Sequence, residues 1–152
     1  MNKKKLQIEQ LEQKLSSFNT AQEVMIPPTG WIRAVRISLG MSLQQLADKL
    51  SITRQSAHEI EKREQEGAIT LKSLREAANA LDMELIYGLV PKDGSIEKLI
   101  NRKAMELATR IVSRTSNTMK LEGQENSEQR IKKAIEERAT LIKEELPKIL
   151  WD

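Results

Sequence analysis

The sequence has no cysteine and a single histidine. The first absence removes disulfides and thiolate metal sites. The second leaves a nucleophilic triad one candidate base, His58, on the polar side of an expected helix, where a solvated imidazole is the ordinary reading. One histidine and scattered carboxylates are too few donors for a transition-metal centre, so no metal and no cofactor are expected. Aromatic residues make up only 3%, and the apolar share of 39% rests on Leu, Ile and Ala. Leu and Ala favour helices. The six glycines form no phosphate-cradling loop. No apolar run is long enough to span a bilayer, and the basic start "MNKKKLQIEQ" lacks the uninterrupted apolar core of a secretory signal. These absences argue against an enzyme and a membrane protein, and make a reducing cytoplasm the expected compartment.

Charge is present in both signs: 25 basic and 22 acidic residues give a net charge of +3. From Trp31 to Arg63 there are six basic residues, Arg33, Arg36, Lys49, Arg54, Lys62 and Arg63, against three acids, Asp48, Glu59 and Glu61. So small an excess does not mark a nucleic-acid binder by itself, and geometry has to decide.

Periodicity divides the chain. Ile8, Leu11, Leu15 and Phe18 predict an amphipathic helix over residues 3 to 18, which needs a groove on this chain or on another. "IPPTG" stiffens a linker, so residues 1–28 read as one helix and a proline-containing connection. Residues 29–82 carry short helical seams. Ile32, Val35 and Leu39 repeat at helical intervals, with Gly40 as a stop. Ser42 and Gln45 form a capping box ahead of Leu43, Leu46, Ala47 and Leu50. Ser51 and Ile52 turn the chain, Thr53 caps the next helix, and Ile52 can staple onto Ala57. Thr70 caps a further helix with Leu71, Leu74, Ala78 and Leu81 inward.

In "MELIYGLVP" the period changes to two, which predicts a strand over 83–91. A lone strand needs a partner. A second copy of the chain would supply one across a homodimer; the short "EVMI" segment is the alternative. Residues 92–152 return to helix. Ser95 caps a stripe of Ile96, Leu99, Ile100, Ala104, Leu107, Ala108 and Ile111. Ser127 starts a last helix through Ile131, Ile135, Ile142 and Leu146, closed by Pro147. The expected fold is therefore mainly α: a helix-turn-helix bundle, one β-strand, and a helical C-terminal extension.

The stretches Leu43 to Leu50 and Arg54 to Arg63, joined by a short turn, have the form of a helix-turn-helix. Its second helix fits the DNA major groove, which is about 12 Å wide. Arg54 suits guanine and Gln55 adenine, each through paired hydrogen bonds. Glu59 can accept from cytosine, or instead orient Arg54 or Gln55. Thr53, Ser56, Arg63 and Arg36 are expected as phosphate clamps, and Lys62 joins them on the outward side. The plain alternative is a set of solvated residues on a helical bundle.

At these residues a resemblance is visible. "SLQQLADKLSITRQSAHEIEKREQEGAITLKSLREAANALDMEL" resembles the Cro/C1-type (XRE) helix-turn-helix family over about Gly30 to Leu85. The resemblance implies a dimeric repressor of operator DNA. It assigns base reading to Arg54, Gln55 and Glu59, and backbone or base contacts to Thr53 and Ser56. Two positions depart from the family. Ser51 replaces the usual turn glycine. Leu43 replaces a phosphate-binding Gln, for which Gln44 is the expected substitute. The wider pattern, "PPTGWIRAVRISLGM" with "LVPK", resembles the group called mobile mystery protein A, which is encoded beside a Fic-domain protein. "TMKLEG" then resembles the inhibitory motif of Fic-enzyme antitoxins. That implies Thr118, Glu122 and Gly123 as a motif whose Glu pairs with an arginine of the enzyme's ATP-phosphate site. Without such a partner the motif is a helix end or a loop. The expected partners are double-stranded operator DNA, a second copy of the chain and a Fic-domain protein. The competing reading is a helical adaptor that inhibits a partner enzyme without reading DNA.

Overall fold

Most helices begin where a small hydroxyl side chain can take up a free backbone N–H. The computed structural model describes residues 3–121 and 127–152. Its elements are α1 (Lys3–Ser16), a 3₁₀ turn (Thr20–Glu23), α2 (Trp31–Ser38), α3 (Leu43–Lys49), α4 (Arg54–Gln65), α5 (Leu71–Ala80), α6 (Ile96–Leu121), α7 (Glu128–Glu145) and a second 3₁₀ turn (Lys148–Trp151). Ser42 Oγ accepts the Gln45 N–H at 3.1 Å while Gln45 Oε1 accepts the Ser42 N–H at 2.8 Å, completing the capping box of α3. Thr53, Thr70, Ser95 and Ser127 accept the N–H three residues on, at 3.0 to 3.3 Å. Each such cap is worth about 1 kcal/mol. Together they set the starts of α3 to α7.

The chain divides into two compact units, Thr20–Gly88 and Met1–Asn19 with Leu89–Asp152. The first unit holds α2 to α5. Its core is Ile32, Leu46, Ala77 and Leu81, with Val35, Met41, Leu50, Ile60, Ile69 and Leu74 packed around them. The start of α2 has no capping side chain of its own. Glu64 of α4 supplies it: its carboxylate accepts the Trp31 N–H at 2.7 Å and the Ile32 N–H at 2.8 Å. Gly30 makes this approach possible. It has φ +88°, and a Cβ there would stand 2.9 Å from Glu64 Oε1.

The second unit is discontinuous in sequence. α6 and α7 pack along a seam of Ala104, Leu107, Ala108, Ala139 and Ile142. Alanines at the contact let two backbones approach closely. The tail "KILWD" is not a loose end, since Leu150 turns back into this core. α1 buries none of its residues fully. Two of its hydrogen bonds engage the ends of the other helices: Glu12 accepts the Ile96 N–H at 2.7 Å, and Lys4 donates to the Glu145 carbonyl at 3.2 Å. An acid at a helix start and a base at a helix end both complement the helix dipole. The N-terminal helix thus lies on its own chain.

The expected strand is not formed. Residues 83–91 form no regular element, no described segment pairs with them, and no strand occurs among the described residues. The "EVMI" segment does not serve either: its backbone turns through the Val24 N–H to the Ala21 carbonyl. Alternation of side chains suits a strand. It does not report a ladder, which needs a partner within hydrogen-bonding reach. Ile86, Tyr87 and Leu89 are accordingly well exposed. The fold is mainly α, with an irregular connection where a strand was expected.

The turns that end α2, α3, α4 and α5 share one geometry, and the first two compare a glycine with a serine. After α2, the Gly40 N–H meets the Ile37 carbonyl and the Met41 N–H meets the Arg36 carbonyl, both at 3.0 Å. After α3, Ser51 and Ile52 make the same pair of bonds to Asp48 and Ala47. Gly40 sits at φ +67° without strain, but Ser51 holds φ +55° with a side chain attached. Left-handed backbone costs a non-glycine residue roughly 1–2 kcal/mol. Glycine gives back roughly 0.4–1 kcal/mol through its freer unfolded state. Ser51→Gly is therefore expected to stabilise the first unit by about 0.5–1 kcal/mol. Urea unfolding followed by circular dichroism checks this; an unchanged or lowered midpoint contradicts it.

Candidate nucleic-acid interface

α4 carries two kinds of side chain on two sides. Ala57 and Glu61 are buried, and Ile60 and Glu64 are partly buried. Arg54, Gln55, Ser56, His58, Lys62 and Arg63 are exposed, and Glu59 is partly exposed. The spacing of the buried set, at 57, 60, 61 and 64, is that of one helical stripe. It turns the opposite stripe outward.

The two acids on the inner side bind α2. Glu61 takes the Arg36 guanidinium through Nη2 at 2.8 Å and Nε at 3.1 and 3.2 Å. Arg36 Nη1 also donates to the Met41 carbonyl at 3.0 Å. The pair is well shielded, with side-chain exposures of 12% and 6%. Arg36, expected as a phosphate clamp, is thus engaged in holding α2 and the loop after it to α4. A phosphate would have to compete with a carboxylate already in place. With Glu64 at the start of α2 and Glu61 toward its end, both acids have their charge matched inside the unit.

The other expected residues are placed locally. Thr53 Oγ1 accepts the Ser56 N–H at 3.0 Å and shares a hydrogen bond with Ser56 Oγ at 2.9 Å. Gln55 Nε2 reaches Glu59 Oε1 at 3.4 Å, so this acid does steady a neighbouring side chain. Gln44 Nε2 donates to Asp48 Oδ1 at 2.8 Å. Arg54 makes no ion pair among the described residues.

Between α2, the start of α3 and α4 runs a groove of about 500 Å³. Thr29, Arg33, Arg36, Leu43, Arg54, His58, Glu61, Lys62 and Gln65 line it. Gln44, Thr53, Gln55, Ser56, Glu59 and Arg63 do not. Arg54, His58 and Lys62 follow one another at intervals of four along a single edge of α4, and Arg33 faces them from α2. Sequence reading placed Arg54 and Lys62 at the interface but gave no role to Arg33 or His58. The four-residue spacing of 54, 58 and 62 was a usable signal. The arrival of Arg33 was not, because it depends on how α2 crosses α4.

Residues 32–87 match the family model described as helix-turn-helix. This segment is a Cro/C1-type helix-turn-helix domain. Domains of this type bind DNA and serve transcription regulators, and they are not an enzyme family. The matched residues cover α2, from its second residue, to α5 and part of the connection after α5. Comparisons with curated proteins and with solved structures find no match. No described helix is long and apolar enough to cross a membrane. No group of metal-ligating side chains gathers among the described residues.

The shielded pair makes a stability prediction. Removing one partner leaves a buried charge unmatched, which typically costs about 3–5 kcal/mol, whereas replacing both with apolar residues is far milder. Arg36→Ala is expected to destabilise the domain by about 3 kcal/mol. The double replacement Arg36→Met, Glu61→Leu should lose less than half of that. Urea titration of the two variants checks it, and equal losses would show that the pair's geometry matters less than the bulk of Arg36.

Proposed function

We propose that the chain is a sequence-specific, operator-binding repressor acting as a homodimer. The observation that carries this reading is the outward face of α4: Arg54 and Gln55 stand exposed in its first turn while the nearby acids Glu61 and Glu64 are turned inward. Arg54 and Gln55 have the donors and acceptors for guanine and adenine edges in the major groove. Arg33 and Lys62 share a groove with Arg54, and Arg63 is exposed farther along α4, as cations suited to phosphate. Thr53 and Ser56 serve the helix start and can still offer hydroxyl oxygens to the backbone. Gln44 at the start of α3 is the candidate for the phosphate contact that Leu43 cannot make.

On this reading Arg54→Ala relaxes discrimination at one base position by ~1–3 kcal/mol. Lys62→Ala weakens binding to all sequences alike and lowers the salt slope by about one. Footprinting and salt-dependent titration on the DNA upstream of its own gene provide both measurements. An adaptor that does not read DNA would show no footprint, and Arg54→Ala would then change nothing.

A second role rests on "TMKLEG". We infer that the chain is also the antitoxin of a Fic-type AMP-transferase and regulates its own operon. The support is the resemblance of the motif, together with a helical backbone in α6 that continues through residue 118 to Leu121. Glu122 and Gly123 lie outside the described residues, as does the side chain of Thr118. Glu122→Ala should release the activity of the partner enzyme while operator binding is unaltered. If AMP transfer stays silent in a mixture of this variant with the enzyme, the inhibitory contact lies elsewhere.

A further inference from the structure

We propose that His58 makes DNA binding proton-linked: its imidazole takes up a proton as a backbone phosphate enters the groove between α2 and α4. The inference rests on the DNA-binding reading above and adds a residue and a coupled ligand, the proton, to it.

His58 is the only histidine of the chain. It is exposed and lines the groove one turn beyond Arg54 and one turn before Lys62. The charged groups facing it are few. α2 contributes Arg33 and Arg36, and α4 contributes Arg54, Glu61 and Lys62. α3 contributes Leu43, which carries no charge, and Thr29 and Gln65 are neutral. Glu61 is the sole carboxylate among them, and its oxygens are bound to Arg36 at 2.8 to 3.2 Å. The groove lining therefore holds no uncommitted anion to match an imidazolium. A phosphate supplies one, and is drawn there by three cations, Arg33, Arg54 and Lys62.

The step balances simply. One proton from the buffer adds to the imidazole's unprotonated ring nitrogen as the phosphate enters, and the resulting imidazolium donates to a phosphate oxygen. Histidine is the side chain that undergoes this change near neutral pH. A one-proton linkage changes affinity by at most about tenfold per pH unit. Affinity rises as pH falls, because the bound state holds the extra proton.

The test uses the full-length chain and a fluorescein-labelled duplex from upstream of its own gene. Anisotropy titrations run from about pH 5.5 to about pH 8 at constant ionic strength, spanning the histidine range. Wild type is expected to weaken several-fold as pH rises across this range. His58→Gln should be nearly flat, and as weak at low pH as wild type is at high pH. His58→Lys should be flat and as tight at high pH as wild type at low pH. Calorimetry in two buffers of unlike ionisation heat should register proton uptake for wild type and none for His58→Gln. If His58→Gln follows the wild-type pH profile, or wild type binds without pH dependence, the proton linkage is overturned while the DNA-binding reading stands. If no duplex binds at any pH, both are lost together.

Discussion

The clasp between α4 and α2 underlies most of what the DNA-binding unit does. Glu61 holds the Arg36 guanidinium, and Glu64 caps the first turn of α2. A short helix such as α2 gains little from its own hydrogen bonds and depends on packing and end contacts to persist. Glu64 satisfies two donors that would otherwise be orphaned. Arg36 ties the other end, including the Met41 carbonyl just before α3. One face of α4 thus sets the positions of α2 and of the loop leading to α3. A helix fixed in this way on its inner side can present its outer side to a partner without rearranging. Preorganisation of that kind reduces the conformational entropy lost on binding.

The same clasp changes the charge account. Read along the chain, α4 alternates acids and bases and carries no decisive excess. Folding removes Glu61 and Glu64 from the outer surface and leaves Arg54, Lys62 and Arg63 on it. Glu59 remains partly exposed and touches Gln55. A protein with a net charge of only +3 can therefore present a cationic edge, because fold geometry sorts the signs that composition mixes. Arg33 strengthens this edge from a different helix, and no count over a linear window would have paired it with Arg54.

What was legible in the sequence was mostly local. The Ser42 and Gln45 capping box, the Thr53, Thr70, Ser95 and Ser127 caps, and the seam of Leu46 and Ala47 depend on residues within one or two turns. What was not legible depends on distant partners. Alternation in "MELIYGLVP" suggested a strand that is not formed; whether a segment becomes a strand is decided by a neighbour that the alternation does not encode. Leu71 fitted an inward spacing but is half exposed, while Ala77, easily passed over as small, is fully buried. Arg36 looked like a phosphate ligand because its match, Glu61, lies a full helix-turn-helix away in sequence. The burial of Leu150 was hidden for a similar reason: its core partners are on α6 and α7.

In the second unit partial apolar burial at Ile8 and Leu15 and charges at helix ends together place α1. α1 has no buried side chain, and Leu6 and Leu11 remain exposed. A peptide of its length is marginal as a helix alone. The carboxylate of Glu12 sits where α6 begins, and the ammonium of Lys4 sits where α7 ends. A single helix thereby meets opposite partial charges at two helix ends, each with the side chain of the matching sign. α1 and α6 are separated in sequence by the whole DNA-binding unit, which is therefore an insertion within the second unit. Both flanks of the inserted segment run into structure held at a helix start: the Glu12 contact on one side, and the Asp93 to Arg102 pair at 2.8 Å on the other. In that pair the Arg102 guanidinium draws the Asp93 carboxyl below its ordinary range, so the pair persists to more acidic pH than an isolated aspartate would stay charged. The connection over 83–91 forms no regular element, and α6 begins a few residues later at Ile96. The turn that starts this helix is fixed by its own charges and its own serine cap.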